Sequence, residues 1–163
     1  MGPDTKKDET SGVELRAYPF ALAPMLVVLA VTPALAFLFP SPVGFDFGVF
    51  RYLGVPVVVA GLALALWAVD SFARAGETPS PAERSERLVT EGALSHTRNP
   101  IYVGTVVAGA GAGVFFESVV VLAYAVLLWV VYHILTVYKE EPELRDELGE
   151  EYDEYCERVP RWV

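Results

Sequence analysis

The sequence predicts an all-α, polytopic membrane protein with about four transmembrane helices and a C-terminal cytoplasmic amphipathic helix. Three observations carry that expectation. The 163-residue chain is 53% hydrophobic, yet its formal charge is −9. Its mean hydropathy is +0.39. Segregation reconciles the two: four apolar stretches hold almost no charge, and the segments between and after them hold nearly all of it. Open strand edges cannot be satisfied in lipid, so stretches of this kind are read as helices.

The first stretch runs from about Tyr18 to Phe39, the second from Tyr52 to Phe72, the third from Ile101 to Phe116 and the fourth from Val119 to Tyr138. A helix of roughly 20 apolar residues crosses a ~30 Å hydrocarbon core. The first, second and fourth stretches meet that length. The third is short and is joined to the fourth through Glu117-Ser118 alone, which predicts a tight helical hairpin whose tip reaches the far interface. Ala34-Leu35-Ala36 has the form of a signal-peptide cleavage site. The apolar run continues through Phe37, Leu38 and Phe39, however, and the segment before it is mixed in charge, which favours a retained helix.

The segments outside the helices divide the chain into three regions. Residues 1–16 form a polar tail containing Gly and Pro, and 17–74 hold two transmembrane helices. Residues 75–163 hold a cytoplasmic loop, the hairpin and a C-terminal helix. The loop opens as a Gly/Pro/Ser linker, AGETPSPAERSER, and continues as LVTEGALSHTRNP. The tail helix is expected from about Pro142 to Arg158. Proline suits a first helical turn, where its missing N–H is not needed, and Glu140, Glu141 and Glu143 suit the positive end of the helix. Leu144, Leu148, Tyr152, Tyr155, Val159 and Trp162 recur at spacings of four and three and form one apolar-aromatic stripe. That stripe fits a helix lying on the bilayer interface or a lid packed over a site.

Basic residues set the orientation. With four spans, both termini and the middle loop share a side, and that side holds eleven of the twelve Lys and Arg residues. Arg51 stands alone on the other. The expected location is therefore the cell membrane, multi-pass, with cytoplasmic termini. Acidic residues number 21, and lysine is scarce (Lys6, Lys7 and Lys139). Screening at high salt would make such a surface tolerable, so a halophilic source is favoured over an acidic partner-binding tail. A nucleic-acid partner is not expected of so acidic a chain.

Several features carry less than they suggest. Gly109-Ala110-Gly111-Ala112-Gly113 imitates a dinucleotide loop but lies inside an apolar span, where Gly109-x-x-x-Gly113 serves close helix packing. His96 and His133 have no ligand-like spacing, so no metal site is expected. Cys156 is the one cysteine, which leaves no intrachain disulfide. It stays either a site of acylation or an ordinary small residue.

Two segments hold the chemistry. In LVTEGALSHTRNPIYVG, Arg98 and Tyr102 are four apart and are expected to share a helix face where the third helix opens at Pro100. In YHILTVYKEEPELRDELGEEYDEYCERVPRWV, His133 lies within a span, where a polar side chain is a functional candidate or an interhelical hydrogen-bond partner. Glu140 lies two turns further on, on roughly the same face, and Glu141 is expected to pair with Arg145.

Together these segments resemble the isoprenylcysteine carboxyl methyltransferase and phospholipid methyltransferase superfamily, in its prokaryotic membrane branch. The family pattern is a Gly a few residues before Arg-His-Pro-x-Tyr, a hairpin, then Glu-Glu-x-x-Leu, Phe-Gly-x-x-Tyr-x-x-Tyr and Val-Pro-Arg. This chain offers Gly92, then Arg98-Asn99-Pro100-Ile101-Tyr102, then Glu140-Glu141-Pro142-Glu143-Leu144. Leu148-Gly149-Glu150-Glu151-Tyr152-Asp153-Glu154-Tyr155 and Val159-Pro160-Arg161 follow in the same order. The resemblance covers roughly Leu88 to Trp162, and the first two helices carry no such signal.

The resemblance implies S-adenosylmethionine as methyl donor. Leu88 and Val89, the run Arg98, Asn99, Pro100, Ile101 and Tyr102, and Glu140 match the family's cofactor-contacting positions. A carboxylate at Glu140 suits the donor's ammonium, and Tyr102 offers an aromatic face to a cation. Asn99 replaces the usual histidine, and Leu94 a frequent aromatic residue. Thr136 stands where the prenylcysteine enzymes carry a substrate-binding arginine, one turn before the glutamate. An arginine grips a carboxylate well, so its replacement points to another acceptor, lipid-soluble or membrane-anchored, with His133 as a candidate base. The alternatives are an NADPH-dependent membrane reductase of the sterol-reductase type, which lacks this glutamate pair, and a non-catalytic membrane scaffold.

Overall fold

The computed structural model describes residues 23–40, 46–77 and 88–163. Every regular element among them is helical. Helix α1 occupies Ala23–Leu38, and Ala34, Leu35 and Ala36 lie within it. A short 3₁₀ turn, Gly48–Leu53, runs directly into α2, Gly54–Ala75. A second 3₁₀ turn, Gly92–Ser95, precedes α3, Pro100–Phe115, which has proline in its first turn as expected. Helix α4, Val119–Leu135, starts at Ser118, whose side chain accepts a hydrogen bond from Val121 N at 3.3 Å. A π-turn, Thr136–Glu140, then leads into α5, Glu141–Leu148, and α6, Glu150–Arg158. The polar tail, part of the Gly/Pro/Ser linker and Tyr18 lie outside the described residues.

Among the described residues, two helices are long and apolar enough to cross a membrane: Gly48–Ala75 and Val119–Leu148, with mean hydropathies of 2.2 and 2.3. Little of either is buried inside the protein, and Val126, Leu127, Trp129 and Val130 of α4 face outward. An apolar surface that continuous is incompatible with water but natural against hydrocarbon. Helices α1 and α3 are apolar but shorter.

The predicted hairpin is present. Phe116, Glu117 and Ser118 link α3 to α4, with Glu117 in the left-handed region at φ 52. The Glu117 carboxylate accepts from Phe47 N at 2.7 Å and pairs with Arg51 at 3.3 Å, which hooks the hairpin tip onto the start of α2.

The α2–α3 contact depends on Gly54, Gly61 and Gly104, which the sequence did not single out, and on Gly111 from the glycine run. Gly54 packs on Gly111 and Gly61 on Gly104, an antiparallel register with seven residues between contacts. A β-carbon on Gly61 would stand 2.5 Å from Gly104 O, so the two backbones touch. The expected Gly109-x-x-x-Gly113 motif serves other partners. Gly109 faces Ala125 and Val28, and Gly113 faces Leu122. The glycines of α3 thus meet three neighbours, α2 at Gly104 and Gly111, α1 at Gly109, and α4 at Gly109 and Gly113.

The tail corrects a second expectation. The single helix expected over Pro142–Arg158 is two helices broken at Gly149, which has φ 57. Glycine takes that conformation without steric cost. The break lets Tyr152, Tyr155 and Val159 form a buried cluster with Leu88, Leu144, Leu148 and Cys156 around it. The predicted stripe therefore packs inward, with the exception of Trp162, which reaches α4 instead.

Candidate functional site

The first turn of α3, the π-turn after α4 and the C-terminal residues converge at one end of the helices. Tyr102 stands in that first turn of α3, and its hydroxyl donates to Glu140 Oε1. The other carboxylate oxygen of Glu140 lies 3.5 Å from Thr136 Oγ1, which is also 3.5 Å from Asn99 Oδ1. Thr136 is only 1% exposed, so this contact is sealed from solvent. Beneath it, Tyr102 and Tyr132 stack with ring centroids 4.3 Å apart and planes 10° from parallel.

The π-turn explains how two consecutive glutamates do different things. Glu141 N–H donates to Thr136 O, five residues back, so one extra residue is accommodated in that turn. Such insertions recur at functional sites because they re-aim side chains. Glu140 turns toward α3, whereas Glu141 turns toward the loop and the C-terminus.

Glu141 is 6% exposed and is gripped by two arginines. Arg161 makes a two-point contact, Nε to Oε1 at 2.6 Å and Nη2 to Oε2 at 2.8 Å. Arg98 Nη1 reaches the same carboxylate at 3.0 Å and Cys156 Sγ at 2.7 Å. Two expectations fall here. Glu141 does not pair with Arg145, which instead meets Asp153 at 2.7 Å. Arg98 does not share a helix face with Tyr102, because α3 begins only at Pro100 and Asn99 before it is non-helical, at φ −127 and ψ 54.

The C-terminal strand of chain closes over the loop. Arg98 N donates to Pro160 O at 3.0 Å. Thr97 Oγ1 and Asn99 Nδ2 both donate to Arg161 O, at 3.0 and 3.2 Å. Tyr155 OH donates to Leu94 O at 2.7 Å. Burial raises the Tyr155 phenol above its ordinary value and pushes Tyr152 up to about 12. The hydrogen bond to Glu141 holds the Arg161 guanidinium above its usual range.

Of the residues singled out in the sequence, Asn99, Tyr102, Thr136 and Glu140 come together directly. Pro100 is buried at the first turn of α3, and Ile101 is half-buried beside it. Leu88 packs on the tail cluster, and Val89 is 8% exposed. His133 stands apart from the Glu140 cluster. Its ring is flanked by Trp129 and Trp162, and its Nδ1 accepts from Trp162 Nε1 at 3.2 Å. That bond requires the neutral ring to carry its proton on Nε2.

Three contributors were missed. Tyr132 precedes Thr136 and Glu140 by steps of four, a legible signal. Arg161 was read only as part of the Val-Pro-Arg motif, and its reach to Glu141 from twenty residues away has no periodic signal. Ser71 accepts from Ala93 N at 3.1 Å and so pins the loop to α2, and sequence alone gives no reason to choose it. Gly92, with φ 62, sits against that same serine side chain and leaves no room for a β-carbon.

These features define a helical membrane-type protein with a carboxylate–phenol cluster at one end of its apolar helices. The chain belongs to the phospholipid methyltransferase family, whose model matches residues 49–151. That match starts in the 3₁₀ turn before α2, so the family signal reaches further toward the N-terminus than the motifs alone indicate. The chain is also 30% identical over 113 residues to protein-S-isoprenylcysteine O-methyltransferase B of Arabidopsis thaliana. The aligned part is 68% of this chain and 57% of that relative. No solved structure matches.

Proposed function

We propose that the protein is an integral membrane methyltransferase that uses S-adenosylmethionine and methylates a lipid-soluble or membrane-anchored acceptor. The observation that carries this reading is the Glu140 carboxylate, held by Tyr102 and next to Thr136 and Asn99 at the end of two apolar helices. Within a chain of this family, such a cluster suits a ligand that is cationic at one end and aromatic at the other. The donor supplies a methyl group on a sulfonium sulfur. Glu140 holds its ammonium by charge-assisted hydrogen bonds, and Tyr102 keeps the carboxylate oriented. The region 88–102 and the tail wall off water, and α3 and α4 align an acceptor arriving from lipid, since methyl transfer is chiefly a matter of positioning.

In this reading four helices cross the bilayer, the region 75–163 forms the methyltransferase unit, and the termini and tail helices lie in the cytoplasm. Thr136 gives the acceptor no cation, which supports an acceptor other than a prenylcysteine carboxylate. Thr136 is, however, too enclosed for an arginine to be added without displacing Glu140, so the position is better probed with valine. With Trp162 engaging the Nδ1 lone pair, His133 presents an N–H at Nε2, so it is proposed to assist as a hydrogen-bond donor, and it acts as a base only if the Trp162 bond is released.

The test is incubation of purified protein with isotope-labelled S-adenosylmethionine and membrane lipids, quinones and a short prenylated cysteine analogue. Label is expected in a lipid-soluble product other than the prenylcysteine ester. Glu140→Gln keeps the shape and removes the charge, and is expected to weaken donor binding about 10- to 100-fold by calorimetric titration. Unchanged affinity would remove Glu140 from the donor site, and no labelled product from any lipid fraction would point to a scaffold.

A further inference from the structure

Tyr102 rests on Tyr132. The two rings come from different helices, α4 and α3, and lie 4.3 Å apart and within 10° of parallel. Tyr132 is 9% exposed, so its ring is held firmly in place. Tyr102 is in the first turn of α3, the part of a helix with fewest constraints from its own backbone. A phenol has several staggered ways to leave that turn, and the structure uses the one that puts its hydroxyl on Glu140. A hydrogen bond at the tip restrains the oxygen alone, whereas a flat partner against the face restrains the plane of the whole ring.

We propose that Tyr132 is a positioning residue of the donor site: its ring fixes the plane of Tyr102 so that the Tyr102 hydroxyl stays on Glu140. The proposal rests on the reading of Glu140 as the donor's anchor. Tyr132, Thr136 and Glu140 recur every four residues into the π-turn, so α4 brings the aromatic platform, the hydroxyl and the carboxylate to the same side. The role requires a flat face and not the Tyr132 hydroxyl, which separates it from a core residue valued only for volume.

The experiment is calorimetric titration of S-adenosylmethionine and its demethylated product into detergent-purified variants. Tyr132→Leu is expected to weaken binding about three- to tenfold, in keeping with the loss of a stacked aromatic pair. Tyr132→Phe should restore affinity to within about twofold of the native protein. In a Tyr102→Phe background, where the hydroxyl on Glu140 is gone, Tyr132→Leu should add almost nothing. Tyr132→Met serves if the leucine variant does not fold. Equal losses in both backgrounds, or failure of phenylalanine to restore binding, would overturn the proposal. Glu140→Gln keeps the two readings distinguishable. If it leaves donor affinity unchanged, the donor site is misplaced, and the positioning role is then decided by thermal unfolding. Non-additive shifts for Tyr132→Leu and Tyr102→Phe uphold it, and additive shifts overturn it.

Discussion

Glu141 is a buried charge whose value lies in its partners. Its carboxylate joins α5 to the loop through Arg98 and to the C-terminus through Arg161. Taking two or three charges out of water is costly, and their attraction repays that cost only with good geometry. Removing the carboxylate leaves Arg98, 12% exposed, buried and uncompensated, while Arg161, 32% exposed, keeps part of its hydration. Glu141→Ala is therefore expected to lose about 3–5 kcal/mol of stability, measured by denaturant unfolding in detergent. The surface pairing with Arg145 expected from sequence would have been worth only about 0.3–0.5 kcal/mol, so a small loss would show that the clamp does not form in solution. Neighbouring residues thus divide the work, with Glu140 facing the candidate site and Glu141 holding its walls.

At the scale of elements, the α2–α3 contact and the tail docking are the joints that set the site. Gly61 lies backbone to backbone against Gly104, and a larger side chain has nowhere to go. Gly61→Val should cost about 1–3 kcal/mol or more through overpacking, read as a lower unfolding midpoint. Gly76→Ala, where nothing lies within 4 Å, is the control for backbone strain alone. The tail gives a pH prediction. Tyr152 is pushed up to about 12, and Tyr155 is also raised, both by burial. A phenol whose folded value exceeds its unfolded one, about 10, contributes stability that is fully present below pH ~10 and is lost as pH rises through the folded value. Tail docking should therefore weaken in alkali between about pH 10 and 12. Tyrosinate absorbance in Tyr152→Phe and Tyr155→Phe variants checks this, and ionisation of both at the pH of exposed tyrosines would contradict it.

For the whole molecule, the antiparallel order of α2, α3 and α4 places the C-terminal end of α2, the start of α3 and the tail at one end, with the hairpin tip at the other. The sequence expects basic residues to hold the first end in the cytoplasm. Asp46→Cys and Glu150→Cys, each in a Cys156→Ser background, should label from opposite sides with a membrane-impermeant maleimide. Labelling of both from the cytoplasm would contradict the four-span arrangement. In the proposed function, a polar donor would arrive from water and an apolar acceptor from lipid, and the Glu140 cluster sits where an apolar helix passes into a charged one.

What the sequence determined by itself was whatever depends on local period and length. Apolar runs mark the helices, Glu117-Ser118 leaves room only for a tight hairpin, and a stripe from Leu144 to Val159 must find something to bury it. Tyr102 and Glu140 were legible because their motifs are short and contiguous. The tertiary structure alone decided which distant groups meet. Gly54 and Gly61 matter because another backbone arrives there, and Glu141 is a clamp because Arg161 returns to it from the C-terminus. The π-turn is an adjustment to those contacts, and it turns two identical neighbouring side chains to opposite duties. Period and hydrophobicity act within a few residues, whereas close approach and charge pairing are settled only when the chain has closed on itself.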